Sequence, residues 1–388
     1  MSHQVIYLDN NATTRMDPRV LEAMLPYLTE YFANPGSAHV LGARARKAVE
    51  DARETIACLV GASHPSEIIF TSGATEADNL AIKGVADACA EAGDHVITLT
   101  TEHPAVLEPC RRLEREGFRV TYLGVDWHGL VSAEDLESAL TADTILVSVM
   151  HANNEIGVVQ DVGALAAICK ERGILFHTDA AQAAGKIPFN VATLGVDLAS
   201  ITAHKIYGPK GIGALYVGHG LPGHRIRPLL DGGGQELGMR PGTLNVPAIV
   251  GFAKALELCI EELEKETQRL TKLREAFLSL LRQRVDGVQL NGHPVRRLPG
   301  HLSLSIEGVE ARALMEALPD VALSAGAACH EGTLMPSPVL LALGIPPDRA
   351  SSTIRVGIGR FNTAADVERA ADRIAQEALR IRGRRSAC

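Results

Sequence analysis

The chain has 388 residues, 46% of them hydrophobic and 22% charged, and a formal net charge of −8. At about 150 residues per domain this is too long for one small core and implies two or three domains. The composition excludes a disordered chain, and the acidic balance excludes a general nucleic-acid binder. Seven cysteines without a C-x-x-C pair and fourteen histidines without an H-x-x-x-H spacing match neither a disulfide framework nor a metal site. No apolar run reaches the roughly 18 residues of a membrane span, and the N-terminus has no basic flank ahead of an apolar core. A cytoplasmic protein that touches no membrane is expected, its one basic cluster confined to Arg380–Arg385.

In chain order, Val5–Asp9 reads as a short strand, Asn10 to Thr14 as a polar turn, Pro18–Tyr31 as a helix and Gly42–Val60 as a longer one. The stretch Glu67 to Glu76 is a strand, then small residues, then a helix running to about Ala92. Backbone N–H groups at that helix start, with the Thr75 hydroxyl, would make an anion site; taken alone the pattern is equally a plain helix cap. Strands and helices then alternate. Strands fall at His95–Thr100, Val120–Leu123, Ile145–Met150, Ile174–Thr178, Leu198–Thr202 and Ile212–Val217, with helices at Pro104–Glu116, Ala133–Leu140 and Val162–Arg172. This alternation predicts an α/β fold with a mostly parallel sheet and ligands at the carboxyl ends of its strands.

Polar groups cluster at those ends. His103 follows one strand, where an imidazole could stack on a flat ring and move protons. Met150 to Glu155 offers the amides of Asn153 and Asn154. Asp179 ends an apolar strand, which is costly for a carboxylate unless it meets a cation such as a protonated pyridine, and Gln182 lies three residues on. Lys205 follows the strand Leu198–Thr202, beside His204 and ahead of the turn Gly208-Pro209-Lys210-Gly211. A lysine desolvated there becomes a carbonyl nucleophile able to form a Schiff base. Asp179 and Lys205 together point to pyridoxal 5'-phosphate. The glycine-rich runs Gly208–Gly213 and Asp231–Glu236 lack nucleotide-loop spacing, and Gly238 to Leu244 reads as a loop placing Thr243 near a phosphate.

A long amphipathic helical region, about Pro247–Val285, leads into a smaller α+β unit. Its strands are expected at His301–Ile306, Val321–Ser324 and Thr353–Ile358, and its helices at Ala311–Leu318, Pro338–Leu343 and Ala364–Arg382. The expected division is residues 15–260 as a large cofactor-binding domain, with 1–14 and 261–388 forming the small one. Cys329 differs from the other cysteines, which lie mainly in helical patterns: it sits in a small-residue loop, where a thiol can act as a mobile nucleophile. Arg355, inside an apolar strand, offers a fork of donors suited to an α-carboxylate or to a structural ion pair.

Six signatures in one order carry a resemblance over essentially the whole chain: Tyr7 to Thr14, Thr71 to Glu76, Asn153 to Gly157, His177 to Gln182, His204 to Gly211 and Gly238 to Thr243. Together they resemble the pyridoxal-phosphate cysteine desulfurases of the nitrogen-fixation and iron–sulfur-cluster type. The resemblance implies a fold-type I homodimer with a seven-stranded sheet that takes sulfur from L-cysteine, releases L-alanine and serves a scaffold or other sulfur-acceptor protein. It makes Lys205 the Schiff-base lysine, Asp179 the partner of the pyridine nitrogen, Gln182 that of the phenolic oxygen, and His103 the stacking residue. Ala74, Thr75, Thr202 and His204 match phosphate positions, Thr243 reaches across from the other subunit, Asn154 and Arg355 orient cofactor and substrate, and Cys329 is the nucleophile that carries the persulfide. Cys329-His330-Glu331 departs from the usual Cys-Thr or Cys-Ser and, with Pro336 to Leu340, is similar to selenocysteine lyases. The chain ends soon after Arg385, short of the extension with which some members dock a scaffold. The alternatives are a selenocysteine lyase, an ordinary class V aminotransferase, and a sulfur-relay component with slow turnover.

Overall fold

A computed structural model describes residues 5–218, 226–325, 329–330, 333–334 and 336–385, with backbone alone for Cys329, His330, Thr333, Leu334 and Arg385. The first half runs β1 (Ile6–Tyr7), α1 (Pro18–Thr29), α2 (Val40–Val60), β2 (Ile68–Thr71), α3 (Ala74–Cys89), β3 (His95–Leu99), α4 (Pro104–Arg115), β4 (Arg119–Leu123), α5 (Ala133–Ala139), β5 (Thr144–Ser148), α6 (Val162–Glu171), β6 (Leu175–Asp179), α7 (Val191–Leu194), β7 (Leu198–Thr202) and β8 (Gly213–Val217). Seven of these strands form one sheet in the order β2-β8-β7-β6-β5-β3-β4. It is parallel except at β8, which runs antiparallel to both β2 and β7.

Alternation along the strands decides which helices cover which face. Ile68 and Phe70, Ile97 and Leu99, Val147, Phe176, Ala199 and Ile201 point into one core with α1, α2, α6 and α8 (Val246–Glu261). Ile69, Val96, Leu146, Leu175, Leu198 and Leu215 point the other way, onto α3 and α4. With both faces covered, the strands read as continuous apolar runs.

The second half continues with α9 (Leu263–Arg284), β9 (Val288–Leu290), β10 (His301–Ile306), α10 (Ala311–Glu316), β11 (Val321–Ala322), β12 (Ser324–Ala325), β13 (Cys329–His330), β14 (Thr333–Leu334), α11 (Pro338–Ala342), α12 (Pro347–Ser351), β15 (Thr353–Gly357) and α13 (Ala364–Arg385). A four-stranded sheet, β12-β15-β10-β9, packs on α9 and α13 around Phe277, Leu281, Leu304, Val356 and Ile374. Ile6 and Leu8 join this core, because β1 pairs in parallel with β11.

The helical region expected over Pro247–Val285 consists of two helices that change over at Glu262, where its carboxylate meets Arg19 at 2.8 Å and Arg360 at 3.1 Å. Two expectations are corrected. The strand expected at Val321–Ser324 is split between partners, β11 on β1 and β12 on β15. The N-terminal strand is only Ile6–Tyr7, since the chain turns at Asp9 to reach the large sheet.

Phe277 is fully buried in the second core. Phe277→Ala should therefore lower unfolding free energy by about 3–5 kcal/mol in urea titrations. Trp127→Ala, at a side chain 73% exposed, should change it by no more than about 0.5 kcal/mol.

Candidate active site

The site is built where β6 and β7 stop. Leu198 to Thr202 is a buried strand whose last residue passes into a short 3-10 turn, Ala203–Lys205. Thr14 clamps that turn: its N–H and hydroxyl donate to the His204 carbonyl at 2.9 and 2.8 Å, and its hydroxyl oxygen accepts from the Tyr207 N–H at 2.7 Å. Tyr207 takes a left-handed φ of 66°, so the chain reverses immediately after Lys205. Burial pushes the Lys205 ammonium below the ordinary lysine range; Asp179 and Asp78 oppose this and Arg355 adds to it. The result favours a neutral, nucleophilic amine.

Asp179, the last residue of β6, is 6% exposed, and its Oδ1 accepts from the Ala181 N–H at 2.8 Å. Two further buried carboxyls lie near it. Asp78 on α3 has no hydrogen-bond partner for either oxygen, and burial followed by the Asp179 charge raises it far above the usual carboxylate range. Glu102 is raised the same way, with Oε1 accepting from the Met150 N–H at 2.7 Å. Burial thus favours the neutral form of both Asp78 and Glu102. Behind Asp179, His177 is held between the Ser148 hydroxyl at 2.8 Å and the Ser200 hydroxyl at 3.0 Å, and burial lowers it to about 3.

The opposite wall is the start of α3. This helix has Gly73 at its N-cap and no side-chain cap, so its first N–H groups are open to an anion. Close approach makes that possible: a Cβ on Gly213 of β8 would lie 2.8 Å from the Gly73 Cα. Glu76 accepts from the Ser72 N–H and is tied to Arg240 at 2.9 Å, which braces the loop. Between these walls lies a cavity of about 530 Å³ bringing together Ala74, Thr75, His103, Asp179, Thr202, His204 and Lys205, with Asp78 on its lining. His103 Nδ1 accepts from the Ala105 N–H at 3.0 Å, so the neutral imidazole carries its proton on Nε2. Burial and the Lys205 charge lower His103, and burial lowers His204 to about 4.

The remaining expected residues stand around this cavity rather than on its lining. Gln182 is buried behind Asn11, donating through Nε2 to the Asn11 carbonyl at 2.8 Å. Arg355, in β15, donates to Asp9 Oδ1 at 2.9 Å and to the Asn154 carbonyl at 3.2 Å. Thr243 lines a separate groove with Arg53 and Glu236, away from its own chain's cavity. The Cys329 side chain lies outside the described residues; the backbone of Cys329–His330 pairs with Thr333–Leu334. Sequence reasoning missed Asp9, Asn11, Thr14, Asp78, Lys186 and His177. Of these, Asp9, Asn11, Thr14 and His177 fall in motifs already singled out, whereas the burial of Asp78 could be seen only once α3 was packed on the sheet.

The model of the aminotransferase class-V family matches residues 6–370. The chain belongs to that family. Within it, the chain is 50% identical over 378 residues, 97% of this chain and 92% of the relative, to a protein named cysteine desulfurase IscS from Rickettsia rickettsii. The protein of that name from Rickettsia typhi is 49% identical over the same shares. Among solved structures, a NifS-like protein superposes with a TM-score of 0.90 at 40% identity, covering 96% of this chain and 99% of its own. One titled SspA in complex with cysteine gives 0.82 at 36% identity, covering 92% and 99%. These desulfurases of the class-V family depend on pyridoxal 5'-phosphate. The residues present fit that group: an uncapped helix start for a phosphate, a buried carboxylate for a protonated ring nitrogen, and a desolvated lysine for an aldehyde.

Because folded His177 takes up its proton only near pH 3 while an unfolded imidazole does so near about 6.5, its contribution is complete above that higher value. It is lost as pH falls between the two, at up to about 1.4 kcal/mol per pH unit. Urea unfolding from pH 7.5 to 5 should show wild type losing stability relative to His177→Gln as the pH drops. Parallel curves would mean that His177 takes up its proton in the fold at the same pH as in the unfolded chain.

Proposed function

We propose that the chain is a cytoplasmic, homodimeric cysteine desulfurase that takes sulfur from L-cysteine, releases L-alanine and passes sulfur from Cys329 to an acceptor in iron–sulfur-cluster or other sulfur biosynthesis. One observation carries the reading: Lys205 and Asp179 face one cavity from adjacent strand ends, with Arg355 alongside in a strand paired to the segment that leads to Cys329. The names of the relatives support cysteine as substrate, and Cys58, Cys110, Cys169 and Cys259 are free thiols, in keeping with a reducing compartment. The assignment of residues 15–260 to a large domain and of 1–14 with 261–388 to a small one is part of the same reading. It is supported by the way Ile6 and Leu8 pack with the second core.

Bound pyridoxal phosphate would supply the electron sink for the carbon chemistry. The open N–H groups of α3, with Ala74, Thr75, Thr202 and His204, would hold its phosphate, joined by Thr243 from the second subunit. Asp179 would face the ring nitrogen, Gln182 would donate to the phenolic oxygen, and His103 would lie against the ring. Lys205 would hold the cofactor's aldehyde and, as a neutral amine, would move protons. Arg355 has its guanidinium half-engaged by Asp9 and the Asn154 carbonyl, and would turn its fork to the α-carboxylate of cysteine. The Cys329 thiolate then attacks the substrate sulfur. A sulfur–sulfur bond forms, the carbon–sulfur bond breaks with its electron pair left on the carbon side, and protonation there completes alanine.

Full-length holoenzyme given L-cysteine should release alanine. Lys205→Ala should abolish this, and Cys329→Ala should abolish it while leaving the cofactor's visible absorbance in place. Alanine release untouched in Cys329→Ala would remove the desulfurase mechanism. Arg355→Met should raise KM for cysteine by about tenfold or more, since a charge-assisted pair is lost.

A further inference from the structure

Gln182 is gripped from two sides. Its Oε1 accepts from the Lys186 ammonium at 2.7 Å and from Asn11 Nδ2 at 3.2 Å, while its Nε2 donates to the Asn11 carbonyl at 2.8 Å. Gln182 and Lys186 are four apart in a turn region after β6, outside any regular helix. An ammonium has three donors and no acceptor, so when Lys186 is charged the oxygen of the amide has to face it. The NH₂ group is then fixed on the other side, with one N–H taken by Asn11 and the second left over.

Lys186 has few other claims on it. Among the described residues no carboxylate pairs with it. It borders an inner cavity of about 50 Å³ between the two cores, with Asn10, Asn11, Cys259 and Arg360. The carboxylate on that wall, Glu266, is taken by Arg269 at 2.8 Å, and Arg360 is paired with Asp17 at 2.7 Å. Burial, and then the charge of Lys205, lower Lys186 to about 7; a neutral amine there still offers N–H to the amide oxygen. A buried lysine whose hydrogen bond goes to an amide rather than to a carboxylate is expensive to keep, and the amide it reaches is the one assigned above to the phenolic oxygen.

We propose that Lys186 is a positioning residue for the cofactor, acting through Gln182: it fixes the amide so that the free N–H of Nε2 points at the phenolic oxygen of pyridoxal phosphate. This rests on the desulfurase reading above. Without Lys186, Oε1 keeps only the longer bond from Asn11, and the amide is held by Asn11 alone, through that bond and the Nε2 bond to its carbonyl.

The test is a double-mutant cycle on full-length protein, comparing wild type, Lys186→Met, Gln182→Leu and the double variant. The readouts are pyridoxal phosphate affinity, titrated into cofactor-stripped protein, and the visible absorbance maximum of the bound cofactor. Lys186→Met should weaken affinity by about tenfold and move the band, Lys186→Arg should restore most of both, and the double variant should match Gln182→Leu alone. Multiplying effects, or a Lys186→Met indistinguishable from wild type, would overturn the proposal. Should Lys186→Met not fold, Lys186→Gln enters the same cycle with the same outcomes. A wild type that takes up no pyridoxal phosphate, or releases no alanine from cysteine, would instead overturn the desulfurase reading itself.

Discussion

The chemistry depends on keeping Lys205 out of water next to the Asp179 carboxylate. Desolvation favours the free amine of Lys205, while Asp179 pulls the other way. The balance is set by architecture, since both side chains sit at ends of neighbouring parallel strands whose register pairs Asp179 with Ser200. Helices cover both faces of that sheet, so the dry environment is a product of packing.

The same dryness sorts the acids. Asp78, Glu102 and Asp179 converge beneath the cavity, and three negative charges there would be prohibitive. Burial and the Asp179 charge favour the protonated form of Asp78, against the Ser200 hydroxyl, and of Glu102, against one backbone N–H. Lys186 donates to the Gln182 amide, and Arg355 to the one carboxylate Asp9. An arrangement with this much unpaired polarity is poor for stability and suits an anionic cofactor and substrate.

Much of this was legible in the sequence because strand ends carry the chemistry and strands with apolar runs are easy to see. The strands from Ile68 to Val217 lie where alternation puts them, and the residues that follow them, His103, Asp179 and Lys205, meet in one cavity. What escaped was tertiary. The break between α8 and α9 has neither Gly nor Pro to mark it and falls where Glu262 meets Arg19 and Arg360. The division of the strand near Val321 follows from a partner more than 300 residues earlier, β1. Lys186 was invisible because a Gly-Lys pair after an alanine-rich turn reads as surface until the second core closes over it.

The most direct measurement is mass spectrometry of the peptide bearing Cys329, taken from full-length holoenzyme after L-cysteine and before any acceptor, with alanine quantified in the same sample. The account predicts one added sulfur atom on Cys329 and alanine in at least matching amount. Alanine released with Cys329 unmodified, or sulfur transferred only to other cysteines, would contradict it.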